Sequence, residues 1–141
     1  MASQTNEALA RRFFEDFCNG RKLDIADALF TADYVYHDPQ VPNVVGPKAM
    51  ADAIKVYQDG VEGHWQIEEI GPAGNDKVYA RWTGSGKYSG PMPGVPVPPN
   101  GNAVRVDAIS IFRIANGKIA EQWCVWDTLT FLQQVGALPK P

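Results

Sequence analysis

The chain has 141 residues, of which 45% are hydrophobic, 11% aromatic and 21% charged, with a net charge of −3. That length and apolar content suit one folded domain over residues 1–141 with a real core, and exclude a disordered chain. The charge balance, with Arg11-Arg12 and Arg21-Lys22 the only adjacent basic pairs, excludes an electrostatic footprint for nucleic acid.

In chain order, Leu9, Ala10, Phe13, Phe14 and Phe17 recur at helical spacing and predict a first helix over 4–19, stopped by Gly20. A second, short helix fits 24–30, with Asp24 as its N-cap. Asp33-Tyr-Val-Tyr-His-Asp38 reads as a strand ended by Pro39, since the residue before proline is steered away from helix. Gly46-Pro47 opens a third helix with the apolar face Ala49, Met50, Ala53, Ile54 and Tyr57, and Gly60 is expected to end it. Two strands follow, over 64–70 and 77–85, joined by the turn-rich segment 71–76. Residues 89–102 hold so many prolines and glycines that they read as a stiff loop, because proline fixes φ and cannot donate to a sheet. Long strands over 103–115 and 118–126 meet at Asn116-Gly117, a strong hairpin signal. Asp127 caps a last helix over 128–135, which Gly136 stops. Helices first and an antiparallel sheet afterwards is an α+β order.

Period-two alternation assigns the faces of the last two strands. Val104, Val106, Ala108, Ser110, Phe112 and Ile114 share one side, as do Gln122, Cys124 and Trp126 on the next strand. The opposite sides also carry apolar residues, including Ile109, Ile111, Trp123 and Val125. One face therefore covers a core or pocket, and the other is most simply met by a second copy of the chain. No apolar run reaches membrane-spanning length, and the first seven residues lack the basic and apolar sections of a signal peptide. Cys18 and Cys124 read as a helix cysteine and a strand cysteine of a reduced protein, so the expected location is cytoplasmic. Without CxxC or Cys/His spacing, no metal site is expected.

Several blocks, in order, carry a resemblance to a known family. They are Tyr36-His-Asp-Pro39, Gly46-Pro-Lys48, Pro93-Gly-Val-Pro-Val-Pro-Pro-Asn-Gly101, Ile109-Ser-Ile-Phe-Arg-Ile-Ala-Asn-Gly-Lys-Ile119, Glu121-Gln-Trp-Cys-Val-Trp-Asp127 and Leu132-Gln-Gln-Val-Gly-Ala-Leu-Pro139. Together they resemble the SnoaL-like polyketide cyclases, whose superfamily also holds ketosteroid isomerases and limonene-type epoxide hydrolases. The resemblance implies a curved, mainly antiparallel sheet wrapped around N-terminal helices as a cone-shaped barrel, an internal pocket, and a homodimer through the outer sheet face. It further implies that the general acid/base position, three residues before the Asp of the last helix, is Cys124. The family's histidine on the preceding strand falls on Ser110. A thiol is a poor substitute for a carboxylate, having an ordinary pKa near ~8.5 against ~3.9. Asp38-Pro39 matches the general-base position of the isomerases, whereas the oxyanion donors of those enzymes fall near Phe14 and on Ser110.

The candidate catalytic residues are therefore Asp38 and Cys124. Tyr36, His37, Trp65, Trp82, Tyr88, Ser110, Phe112, Gln122 and Trp126 are the candidate binding residues: aromatic walls for a flat hydrophobic small molecule and a few polar groups to orient it. Because Asp38 and His37 are neighbours on a strand, at most one of them faces the pocket. The expected activity is cofactor-independent cyclisation or isomerisation of a hydrophobic cyclic compound. The alternative is a binding protein that kept the pocket and lost the acid.

Overall fold

The computed structural model describes residues 2–141. Helix α1 runs Ala2–Arg12 and passes without a break into a wider π-helical segment, Phe13–Asn19. The Gly20 amide donates to the Glu15 carbonyl five residues back at 2.9 Å, the bond that defines the wider winding. This segment buries Phe13, Phe14, Phe17 and Cys18 together.

The second helix starts differently from the expectation. Leu23–Ile25 form one 3₁₀ turn and α2 covers only Ala26–Leu29, with no side chain capping either start. Asp24 lies inside the 3₁₀ turn and is exposed, so it is not the cap that its position suggested. Strand β1, Phe30–His37, begins three residues earlier than predicted, because Phe30 packs edge-on against Phe17 at 5.2 Å and continues into Tyr34 at 4.3 Å. A two-residue strand β2, Val44–Val45, is too short to show any alternation in sequence. Helix α3 covers Pro47–Val61 and runs through Gly60, ending only where Glu62 turns left-handed at φ 52°. Gly60 serves packing instead: a Cβ there would come within 2.2 Å of Met92 Cγ.

Strands β3 (His64–Pro72), β4 (Lys77–Lys87), β5 (Ala103–Ala115) and β6 (Lys118–Trp126) complete one sheet in the order β2-β1-β6-β5-β4-β3. All neighbours are antiparallel except β1 and β6, which run parallel. Asn116 and Gly117 both take positive φ, 54° and 73°, as a tight hairpin between right-twisted strands requires. Helix α4, Thr128–Gln134, is capped by Asp127, whose carboxylate accepts from the Thr130 amide at 3.1 Å and the Thr130 hydroxyl at 2.6 Å.

The curved sheet wraps around its helices. The α1–π segment packs across β3, β4 and β6, while α3 lies over β1, β2 and β4. The proline-rich segment is fastened at several points. The Ser89 and Gly90 amides both donate to the Gly60 carbonyl at 2.9 Å, and the Asn100 side chain donates to the Val135 carbonyl at 2.9 Å. On the outer face Ile109 pairs with Val125 and Ile111 with Trp123, and Ile109 and Val125 remain 54% and 67% exposed. Among the described residues no helix is long and apolar enough to cross a membrane.

Candidate active site

The π-helical segment, α3, α4 and every strand except β2 contribute to one pocket on the inner side of the sheet. Phe13 comes from the π segment, Tyr36 and Asp38 from the end of β1, and Ile54, Tyr57 and Val61 from α3. Trp65, Trp82, Val104 and Val106 come from β3 to β5, Gln122, Cys124 and Trp126 from β6, and Phe131 from α4. The cavity itself measures about 70 Å³ and opens to solvent at its mouth. Exposed His64 lies on its lining, at the start of β3.

Asp38 carries the only carboxylate among the described lining residues and is itself buried, at 6% exposure. One turn-forming contact holds it from behind: the Gln40 amide donates to Oδ1 at 2.9 Å. Two aromatic side chains hold it from within the pocket. The Tyr36 hydroxyl donates to Oδ2 at 2.9 Å and the Trp126 indole Nε1 donates to the same oxygen at 3.2 Å. Pro39 ends β1 here, so the carboxylate sits where the chain leaves the sheet and its local amide becomes free to bind it.

Burial keeps the neighbouring acids protonated. The Tyr36 phenol is pushed well above its ordinary value by burial first, then by its neighbours Cys124 and Asp38. Tyr57 is raised for the same primary reason, with Asp38 and Cys124 adding to it. Burial pushes the Cys124 thiol up to about 11, with Asp38 adding to the rise, against hydrogen bonding from Tyr36 and Ser110 that favours the thiolate. Cys124 is thus a neutral thiol in the pocket wall at neutral pH, unsuited to act as a nucleophile. It and Cys18 are free and share one core cluster.

Tyr36, Trp65, Trp82, Gln122, Cys124 and Trp126 all line the pocket with Asp38. Four other sequence candidates do not. His37 points to the outer surface, as strand alternation requires once Asp38 and Tyr36 face the pocket side; it stacks on Trp123 at 5.4 Å and bonds Glu121 at 2.6 Å. Tyr88 lies past the end of β4 in a second core cluster, and its hydroxyl donates to the Val97 carbonyl at 2.6 Å, tying down the proline-rich segment. Phe112 faces the right side but sits at 0% exposure against Phe13 and Phe14, and of these three rings only Phe13 lines the pocket. Ser110 lies behind the wall, where its hydroxyl accepts from Trp82 Nε1 at 3.0 Å. Sequence reading missed Tyr57, Phe13 and Phe131 as lining residues. All three lay in predicted helices, Phe13 and Tyr57 on their apolar faces, and periodicity cannot separate a residue that fills the core from one that borders a void.

Gln122 is oriented from outside the pocket. The buried Tyr34 hydroxyl donates to its Oε1 at 2.8 Å, which leaves the amide nitrogen as its remaining polar group. Among the described residues no cluster of His, Cys, Asp and Glu could hold a metal ion.

A curled six-stranded sheet closed by helices over an inward-facing carboxylate defines an α+β barrel of the cone-shaped kind. The chain belongs to the SnoaL-like polyketide cyclase family, whose model matches residues 8–135. No curated protein matches it in sequence. Among solved structures it is similar to TsrD of Streptomyces laurentii, at 29% identity and a TM-score of 0.80 over 96% of this chain and 97% of that one. It is also similar in fold to a SnoaL-like protein of Jannaschia sp. CCS1, at 22% identity and a TM-score of 0.83 over 98% and 96% of the two chains. An LEH-like epoxide hydrolase of M. tuberculosis shares the fold at 16% identity and a TM-score of 0.73, over 94% and 90%.

Proposed function

We propose that this protein is a cofactor-independent enzyme that cyclises or isomerises a flat, hydrophobic carbonyl compound, with Asp38 as the general base. The observation that carries this reading is a buried carboxylate held by Tyr36 and Trp126 inside an aromatic-walled pocket. In the reaction, Asp38 removes a proton from the carbon next to a carbonyl, and the C–H electron pair becomes an enolate. In a cyclisation the enolate carbon attacks a second carbonyl of the same molecule. A carbon–carbon bond forms, and the proton on Asp38 passes to the new alkoxide, so atoms and charge balance. In an isomerisation the same proton returns to a different carbon. Tyr36 and Trp126 orient the carboxylate, and the Gln122 amide holds the substrate oxygen.

A second reading follows from Cys124. It stands where the family resemblance puts the acid, and a thiol pushed up to about 11 cannot do the work of a carboxylate. On that reading the protein binds its ligand without changing it. A thermal-shift screen with polycyclic ketones, steroids and aromatic polyketides, followed by mass spectrometry of the bound compounds, separates the two. At a hundredfold excess over the dissociation constant a ligand adds about 2.7 kcal/mol, and a shift of several degrees is expected. A converted product supports the enzyme; ligands recovered unchanged after long incubation support the binder.

We also propose that the chain acts as one domain, in the cytoplasm, as a homodimer through the outer sheet face. Exposed Ile109 and Val125, paired in register on that face, support the dimer. Sedimentation is expected to give twice the chain mass, with a shift to monomer in Val125→Lys; a wild-type monomer at micromolar concentration rules the dimer out.

A further inference from the structure

Enolate chemistry needs donors aimed at the carbonyl oxygen as well as a base. Most polar groups around Asp38 are already committed. The Tyr36 hydroxyl and the Trp126 indole both donate to Asp38, the Trp82 indole donates to Ser110, and the Cys124 thiol is hydrogen-bonded with Tyr36 and Ser110. His64, Trp65 and Ser85 line the pocket from β3 and β4, whereas Asp38 follows β1. In the sheet order β1-β6-β5-β4-β3 those strands stand three and four places from β1. Two groups remain on the Asp38 side. One is the Gln122 amide nitrogen, on the strand position paired with Tyr36. The other is the Tyr57 hydroxyl, which reaches the pocket from α3 across from the sheet. Neither has a hydrogen-bond partner among the described residues, although the Gln122 carbonyl oxygen is fixed by Tyr34.

Tyr57 is also placed by its neighbour. Its ring meets Trp126 edge-on at 6.0 Å, and Trp126 is the side chain that donates to Asp38. We propose that the Tyr57 hydroxyl and the Gln122 amide form an oxyanion-binding pair, which holds the carbonyl oxygen of an enolisable ketone while Asp38 faces the adjacent carbon. This rests on the reading of Asp38 as the base. Burial supports the role, since a phenol raised above its ordinary value keeps its proton and stays a donor through the physiological range. A ligand oxygen completes the hydrogen bonding of both groups, whereas a hydrocarbon of the same shape does not.

The test uses 2-naphthol and naphthalene as a matched pair of probes, because they share one ring frame and differ by one oxygen. Affinities are measured by fluorescence in the wild type, in Tyr57→Phe, and in each on an Asp38→Asn background, where no carboxylate repels a naphtholate. Tyr57→Phe keeps the ring that packs on Trp126, so its folding is checked only by its melting temperature. The expected result is a loss of about tenfold or more for 2-naphthol in Tyr57→Phe, with naphthalene changed less than about twofold. Naphtholate absorption, which reports the ground state, is expected to fall with the same substitution in the Asp38→Asn protein at a pH where free naphthol is neutral. Equal losses for both probes, or no loss for either, overturn the proposal, as does a wild type that binds neither. Because the readout is binding, it stands apart from the base: an Asp38→Asn enzyme with full turnover removes that assignment and leaves the naphthol result to be judged by itself.

Discussion

Replacing Asp38 with Asn is expected to lower kcat by about a hundredfold to ten-thousandfold, the usual contribution of a positioned general base. The amide has the same shape, and its carbonyl oxygen still accepts from Tyr36 and Trp126, the two donors that hold Oδ2 in the native protein. What it lacks is a lone pair able to take a proton. The fold is expected to stay intact, with a melting temperature within a few degrees of the parent, because the loss is limited to the Gln40 amide bond to Oδ1 and the charge assistance of the other two. Ligand affinity is expected to be kept for the same reason, so the loss falls on kcat and leaves KM nearly unchanged. Steady-state kinetics on a compound found by the stability screen makes the measurement. Turnover within threefold of wild type removes Asp38 from the chemistry and leaves the binding-protein reading in place.

The largest structural effect is expected at Phe112. This ring is at 0% exposure and meets Phe13 at 5.4 Å and Phe14 at 5.7 Å, both edge-on, so it joins the β5 strand to the first helix. Phe112→Ala is expected to cost about 3–5 kcal/mol, the sum of lost burial and the hole left behind. For a chain of this size that corresponds to a fall of roughly 10–20 °C in melting temperature. Surrounding groups have little freedom to close the hole. Phe13 is also held by Phe17 and Phe30, and the neighbouring β4 and β6 strands are fixed by their ladders to β5. Urea unfolding of the variant checks this. A loss below about 1 kcal/mol means that the rings collapse inward, and the pocket bordered by Phe13 then changes shape as well.

The two substitutions mark how differently sequence and structure speak about this protein. Local chemistry set the elements that depend on local chemistry. The Asn116-Gly117 hairpin and its two strands follow from alternation and from two residues that tolerate positive φ. The capping of α4 by Asp127 follows from one side chain reaching an amide three residues ahead. The burial of Ser110, Phe112, Gln122 and Cys124 follows from period-two alternation, and the family match over residues 8–135 agrees with motifs spread along the chain.

Whatever depends on distant partners was left to the tertiary structure. Gly60 reads as a helix stop, yet it is a seat for Met92 from a loop thirty-two residues on. Alternation put Phe112 and Ser110 on the inward side, but inward covers both a filled core and an empty pocket. Only the positions of Phe13, Phe14 and Trp82 separate the two. Tyr88 had the composition of a pocket wall, and a single hydrogen bond to Val97 commits it to the loop instead. Tyr57 read only as part of the apolar face of a helix, and the packing of α3 across the sheet makes it a pocket residue. The sequence alone determined the strands β3 to β6, the hairpin turn and the side on which their residues fall, because those are set by backbone sterics and side-chain period. The tertiary structure alone decided which hydroxyls are spent on protein partners and which remain for a ligand, because a hydrogen bond between Tyr34 and Gln122 joins residues that are eighty-eight positions apart.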